Sequence, residues 1–365
     1  MYESGRSMNF LAINPLFNTI PAQKKSETNV VSVPRFGLTM AQPLTKDTVS
    51  FKGGIPTKKI MSSRGDAITR QLAQEIRLAV MPGHASFGKK LTAYFGDILS
   101  KEGKTGLITM EHRLKSADSI CEKTATRGWT NKKEVLANMN DISGYCFVME
   151  DKKSFTEFAK RFSEMIKKNE IDIVEVEYHR LAPKYKKNKI ETTYDSLSLS
   201  GLQKIKDAII KTKNPTTQFW REVDSMSGYS GAHITVRNHD GTKSEFQIMT
   251  RGMRNLKHDE NLFYKIRNGK TVDPKYRFIE QFLQPLRTKA PEKMTEHDIA
   301  LQKAMTKYTQ EAYEKVLETP FSTECKFLSP IDSQRLTAKE KEMLSDFDFN
   351  KIHKLMEACE NIAII

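Results

Sequence analysis

The chain has 365 residues, enough for one domain with extensions or for two, and its 59 Lys and Arg against 45 Asp and Glu give a net charge of +14. That balance suits a polyanionic partner such as a nucleotide, RNA or an acidic protein, although a merely solvated lysine-rich surface has the same composition. Cys121, Cys146, Cys325 and Cys359 form no C-x-x-C pair, which argues against a disulfide framework or a cysteine zinc site, and no apolar run approaches the roughly 18 residues needed to cross a membrane. No basic segment followed by a long apolar stretch opens the chain, so no signal peptide is expected, and a cytoplasmic location is. Met8 is an alternative start.

Residues 1–60 are rich in Pro, Thr, Ser, Lys and Gly and predict a poorly ordered leader. From Asp66 to Leu99 the pattern is helical, with Ile68, Leu72, Ile76, Leu78 and Val80, a break at Pro82-Gly83, and a second stretch from Leu91 to Ile98. Gly106 to His112 predicts a short strand feeding a loop at Arg113, and Ser119 to Lys123 should open a helix. Asp141 to Met149 predicts a strand. Ser154-Phe-Thr-Glu157 has the form of a capping box, and Phe155, Phe158, Phe162, Met165 and Ile166 make one apolar stripe after it, a core face. Ile171 to Tyr178 alternates as a further strand.

Residues 180–227 carry the weakest pattern: a basic loop with Lys184, Lys186, Lys187 and Lys189, then a helix from Leu202 to Ile210 with Lys204, Lys206 and Lys211 on or near its exposed side. The next signal is the strongest in the chain. Ala232 to Arg237 and Lys243 to Ile248 both alternate apolar and polar, and Asn238-His239-Asp240-Gly241-Thr242 between them contains an Asp-Gly turn. The period of two puts His233, Thr235, Arg237, Glu245 and Gln247 on one face and Ile234, Val236, Phe246 and Ile248 on the core face. Taken alone, this is an ordinary half-solvated hairpin. After Lys270 come helices over Tyr276–Leu286, Glu296–Leu317, Thr337–Leu344 and Asn350–Ile364, with a capping box at Thr337-Ala-Lys-Glu340.

Four segments stand in order: Arg113-Leu-Lys115-Ser-Ala-Asp118-Ser119-Ile120-Cys-Glu-Lys123, Asp141-Ile-Ser-Gly144, Gly228-Tyr229-Ser-Gly-Ala-His233, and Glu245-Phe-Gln247-Ile-Met-Thr250. No single one is specific. Their joint order and spacing over Arg113 to Arg267 resembles the synthetase domain of the RelA/SpoT family, whose members make (p)ppGpp-type alarmones and include a toxin branch that modifies tRNA. The resemblance implies an α/β fold of the nucleotidyltransferase-like synthetase type, a mixed twisted sheet of about five strands flanked by helices, over residues 61–270, with a helical extension over 271–365. It also implies transfer of the β,γ-pyrophosphate of ATP to the 3′-hydroxyl of GDP or GTP, with Mg²⁺ on the donor phosphates.

On that resemblance Arg113, Lys115, Ser119 and Lys123 would grip the ATP phosphates, although a basic loop before an ordinary capped helix looks the same. Asp141 and Glu245 would be the metal pair, with Glu245 also activating the acceptor hydroxyl. Asp141 is expected to begin its strand and to share a face with Ser143 and Tyr145. Tyr229 would stack on the acceptor base and His233 would contact phosphate or orient the acceptor, with Gln247 and Tyr264 behind them. Arg251, Arg254 and Arg267 would bind acceptor phosphates, although each alone is an ordinary surface charge.

The chain also departs from the family pattern. Cys146 stands where an arginine is usual after D-I-x-G, Met249 interrupts Q-I-R-T, and Asn261 replaces the histidine of E-H-x-x-Y. The first two losses fit a divergent branch, so two alternatives stay open: a toxin that pyrophosphorylates the 3′ end of tRNA, with an antitoxin or other regulatory partner, and a degenerate non-catalytic nucleotide- or RNA-binding domain. The charge and the lysines at 184–189 and 204–213 suit tRNA. A His-Asp hydrolase is argued against, because only His84 and His112 precede Arg113, and the pairs at 239–240, 258–259 and 297–298 read as turn and cap residues. The oligomeric state is left open.

Overall fold

Aromatic and β-branched residues at alternate positions drive the sheet, and an aromatic helix face seals it. The computed structural model describes residues 68–100, 106–181, 203–211, 220–225, 227–270, 272–289 and 291–362. The expected leader and the lysines at 184–189 lie outside them.

Six strands form one mixed sheet: β1 (Ile108–Leu114), β2 (Ser143–Met149), β3 (Ile171–Leu181), β4 (Trp220–Ser225), β5 (Gly231–Asn238) and β6 (Lys243–Thr250), in spatial order β1-β2-β6-β5-β3-β4. The β2–β6 and β3–β4 pairs are parallel and the other three antiparallel. The mixed, helix-flanked sheet is as expected; β4 is the strand that residues 180–227 did not reveal.

The helices are α1 (Arg70–Phe95), α2 (Ala117–Arg127), α3 (Lys132–Asn138), α4 (Lys152–Lys167), α5 (residues 203–211), α6 (Arg251–Arg267), α7 (Arg277–Leu283), α8 (Glu296–Glu318), α9 (Ala338–Ser345) and α10 (Phe349–Ile362). Short 3-10 turns at Pro274–Tyr276 and Gln284–Leu286 extend α7 to the helical span expected there.

One face of the sheet is a buried aromatic core. Phe147 and Phe246 pack edge-on at 5.0 Å, Phe158 of α4 stacks on Phe95 of α1 at 5.3 Å, and Ile205 and Ile209 of α5 join them. Each such ring contributes about 1.5–3 kcal/mol on burial. The α4 stripe is buried as expected, but its cap lies earlier: Asp151 accepts from the Ser154 amide, and the Ser154 hydroxyl accepts from Asp151 N–H. Asp151 takes the cap in place of Ser154 because it is the residue with extended backbone immediately before the helix, so Ser154 already lies in the first turn.

The break expected at Pro82 does not occur, and α1 runs through it. Its burial on both sides of the proline explains why: Ile76 and Val80 pack with Ile120 and Val135, while Phe87 and Leu91 pack on the sheet. Leu78 points to solvent at 48 % exposure, and Ala73 is in the core instead.

α6 lies on the other face over β2 and β6, and shares one core with the C-terminal helices. Met253, Leu256 and Phe263 of α6 pack with Leu301 and Tyr308 of α8, Phe327 and Phe349. The boundary expected near residue 270 therefore has a common core on both sides. Gly252 sits where α6 meets the chain after α8: its N–H donates to Pro320 O at 2.8 Å, and an added Cβ would lie 2.8 Å from Cys325 Sγ and 3.1 Å from Val316 Cγ1. Gly252→Ala is expected to cost about 1–3 kcal/mol by overpacking, read as a lower urea midpoint with unchanged slope.

Candidate active site

The hairpin forms as its alternation predicts. Asn238 N–H donates to Thr242 O, Asp240 Oδ1 caps the Thr242 N–H, and Gly241 takes φ +81°. Opposite faces then separate by chemistry: Ile234, Val236, Phe246 and Ile248 are fully buried in the aromatic core, while His233 faces Gln247 and Thr235 faces Glu245 across β5 and β6. The same two rungs continue into β3, where Glu177 is the partner of His233 and Glu175 of Thr235. Arg221 of β4 makes ion pairs to both glutamates.

The edge of this polar face opens into a cleft of roughly 400 Å³. Lys123, Asp141, His233 and Glu245 all line it, so four of the predicted site residues come together. Glu175, Glu177, Arg221, Arg127 and Trp129 line it too.

Asp141 does not begin the strand. It lies in the turn before β2, and Ser143 and Tyr145 point to the opposite, aromatic face, where Ser143 Oγ is 2.9 Å from His84 Nδ1 and 2.8 Å from Ser244 Oγ. What places Asp141 is charge. Lys115 Nζ donates to Oδ2 at 2.7 Å and Lys123 Nζ to Oδ1 at 2.9 Å. Burial alone would raise the Asp141 carboxyl, but the two ammoniums overcome it and hold it down to about 2. Burial meanwhile pulls Lys115 below the ordinary lysine value. The pair is thus a strongly anchored anion with one costly cation.

Behind the cleft, five side chains close a ring. Glu245 Oε2 accepts from Gln247 Nε2 at 2.5 Å, and Gln247 Oε1 accepts from Lys257 Nζ of α6 at 2.9 Å. Lys257 also reaches the Tyr229 hydroxyl at 3.4 Å, that hydroxyl lies 2.9 Å from His233 Nε2, and His233 Nδ1 faces Glu245 Oε1 at 3.6 Å. Burial lowers the His233 imidazole well below its ordinary value, with Lys257, His179 and Arg113 adding to the effect, so His233 is neutral at pH 7. Burial also lowers Lys257.

Tyr229 is not open for stacking here. It is 9 % exposed, Lys257 lies over its ring at 4.6 Å, and Tyr313 of α8 packs edge-on at 6.3 Å. Its hydroxyl is what the ring of contacts uses. Tyr229→Phe is therefore expected to cost about 1–2 kcal/mol in urea denaturation, since a buried bridging hydroxyl is lost. A side chain serving only as a stacking surface would lose nothing, because phenylalanine stacks equally well.

The other predicted residues lie outside the cleft lining. Arg113 is inside β1, not in a loop, and lies over Gly144 on the polar face. Ser119 is the third residue of α2, and its N–H is already capped by Ser116 Oγ at 3.2 Å. Arg251 is not aimed at an acceptor: it binds both oxygens of Glu150 and reaches Thr109 Oγ1 at 2.7 Å. Arg254 pairs with Glu111 at 2.8 Å and Arg267 with Glu260 at 3.5 Å. Each arginine meets a carboxylate, which fixes it as a brace. Tyr264 is exposed beneath Lys270. Cys146, in the place of the usual arginine, has its thiol pushed up to about 11 by burial and holds no charge at pH 7.

Two of the three His-Asp pairs hold the roles expected: Asp240 in the hairpin turn and Asp298 in the α8 capping box. The third is neither turn nor cap. His258 and Asp259 lie within α6, where Asp259 Oδ2 is 3.0 Å from His353 Nε2 and His258 Nε2 is 2.8 Å from Glu360 Oε1, tying α6 to α10.

Sequence reasoning missed Glu175, Glu177, His179 and Lys257. Ile171 and Ile173 set a phase in which Glu175, Glu177 and His179 would all point into the core. A bulge between Ile173 and Glu175 shifts that phase, so Val176 and Tyr178 are buried and the three polar residues face the cleft side. The switch from Ile171/Ile173 to Val176/Tyr178 was the available signal. The oxygen donors that a hard cation such as Mg²⁺ would take are Glu245, which lines the cleft, and Asp141 beside it, which would join by giving up a lysine contact.

No family model matches the chain, and no curated protein matches it in sequence. Among solved structures it is similar to a GTP pyrophosphokinase family protein from Streptococcus pneumoniae, at 18% identity over 58% of this chain and 84% of that one, with a TM-score of 0.34. It is also similar to small alarmone synthetase 1 from Bacillus subtilis bound to its product pppGpp, at 17% identity over 58% and 85% of the two chains (TM-score 0.29), and to the same protein bound to AMPCPP, at 16% identity over 66% and 94% (TM-score 0.26).

Proposed function

We propose that the protein is an ATP-dependent pyrophosphotransferase acting on the 3′-hydroxyl of GDP or GTP. The observation that carries this reading is the convergence of Lys123, Asp141, His233 and Glu245, from four separate segments, on one cleft. Order in the sequence alone does not require them to meet.

In this mechanism Lys123 and Arg127 hold the ATP phosphates at the cleft, with Lys115 steadied behind them through Asp141. Glu245 takes the proton of the acceptor hydroxyl. The acceptor oxygen bonds to the β-phosphorus as the bond from that phosphorus to the bridging α–β oxygen breaks, so AMP leaves and the acceptor gains two phosphates. Gln247 holds Glu245 in place by donating to its Oε2. Glu245 and Asp141 would hold Mg²⁺, which would supply neutralisation of the triphosphate charge.

The test is incubation with γ-labelled ATP and Mg²⁺, offering GDP, GTP or deacylated tRNA separately. Label on a guanine nucleotide is the expected result. Label on tRNA would move the same chemistry to the acceptor favoured by the +14 charge. Label remaining in bound ATP with every acceptor would replace the enzyme by a nucleotide-binding module.

A further inference from the structure

His179 and Glu177 have no part in the transfer chemistry above, yet they meet His233 in an arrangement that ordinary sheet packing does not require. The two imidazole rings are 4.4 Å apart, centre to centre, with planes tilted by 46°. Glu177 is the cross-strand partner of His233, and its Oε2 is 3.4 Å from His179 Nε2. One ligand atom from each of the three lies within 4.8 Å of the others. Ligand atoms about a four-coordinate ion at roughly 2.1 Å stand about 3.4 Å apart, so modest side-chain rotation closes the set.

We propose that Glu177, His179 and His233 form a binding site for a first-row transition-metal dication of the Zn²⁺ or Co²⁺ type. Two further observations point to a ligand. His179 Nε2 is shut off from solvent and has no hydrogen-bond partner among the described residues, which is an uncompensated cost for a buried nitrogen. An ion between it and Glu177 removes that cost. His233 has the outer support that metal-binding histidines use: with Nε2–H donating to the Tyr229 oxygen at 2.9 Å, its Nδ1 lone pair turns toward the Glu245 carboxylate, 3.6 Å away. Two electron-rich groups then face each other across a gap that a cation fills.

The donor set decides the class of ion. Two imidazoles with a carboxylate suit Zn²⁺, Co²⁺ or Mn²⁺, whereas Mg²⁺ selects oxygen ligands and keeps its waters. Glu177 and His233 both line the cleft, which provides the entry path and leaves the fourth position to water.

The test uses the full chain, stripped of metal by chelator and titrated with Co²⁺, reading visible ligand-field bands. One equivalent of saturable bands is expected. His179→Ala and His233→Ala should abolish them at equimolar Co²⁺, weakening affinity by about 10- to 100-fold or more. His258→Ala, at the separate α6–α10 contact, and Asp141→Asn should keep them. Circular dichroism checks folding; should either alanine variant fail to fold, the near-isosteric Glu177→Gln carries the same expectation. Absence of bands from folded wild type, or bands that survive in folded His179→Ala or Glu177→Gln, would overturn the proposal. Because the readout is metal binding, it stands or fails apart from any transfer activity.

Discussion

Glu245→Gln is expected to lower transfer by about 10²- to 10⁴-fold, the range for loss of a positioned general base, while ATP still binds. Glutamine has nearly the same shape, so the strand and its aromatic reverse face are undisturbed. What it loses is the capacity to take a proton from the acceptor hydroxyl. The surroundings of Glu245 suit that proton transfer, since it lines the cleft, Gln247 fixes one oxygen, and His233 faces the other. Single-turnover kinetics with ATP affinity measured in parallel separates the two effects, because a lost base lowers the rate without raising the dissociation constant. A fall of less than tenfold would remove Glu245 from the chemistry.

Asp141→Asn is expected to lose stability in a pH-dependent way. The Asp141 carboxyl has an ordinary value of 3.8 and is held down to about 2 in the folded chain. A group whose folded value is depressed adds stability above its unfolded value and loses it as the pH falls through the folded one. The contribution is thus full above about pH 4 to 5 and gone near pH 2, and the shift corresponds to about 2 kcal/mol. Removing the charge also leaves Lys115, which burial already pulls down, without its counter-ion. Urea denaturation of wild type and variant at several pH values should show curves that converge toward pH 2 and separate by about 2 kcal/mol or more at pH 6. A constant difference at all pH values would show that Asp141 is not held by its lysines.

What was legible in the sequence was what local period and turn chemistry control. The β5–β6 hairpin follows from six alternating residues on each side of an Asp-Gly turn, and the α4 face from five apolar residues at helical spacing. Both are decided within fewer than twenty consecutive residues, and both place their side chains as read. The site was legible only as far as it rests on the hairpin. Glu177 and His179 were hidden because one bulged residue reverses the faces of β3, and the consequence shows only against β5. Arg251 and Arg254 looked available because their partners, Glu150 just after β2 and Glu111 in β1, come from distant parts of the chain. Pro82 signals a break by its local chemistry, and packing on two cores overrides it. Lys257 carried no pattern of its own: it matters because α6 crosses the sheet beside Gln247 and Tyr229.

In the proposed reaction two phosphates move together from ATP to one hydroxyl. The most direct measurement is the nucleotide left behind when purified protein turns over ATP with GDP or GTP, resolved by anion-exchange chromatography. AMP is the predicted product, formed in equal amount to an acceptor carrying a new 3′-diphosphate, and neither should appear with Glu245→Gln. ADP with a singly phosphorylated acceptor, or AMP and pyrophosphate with an unchanged acceptor, would contradict that reaction.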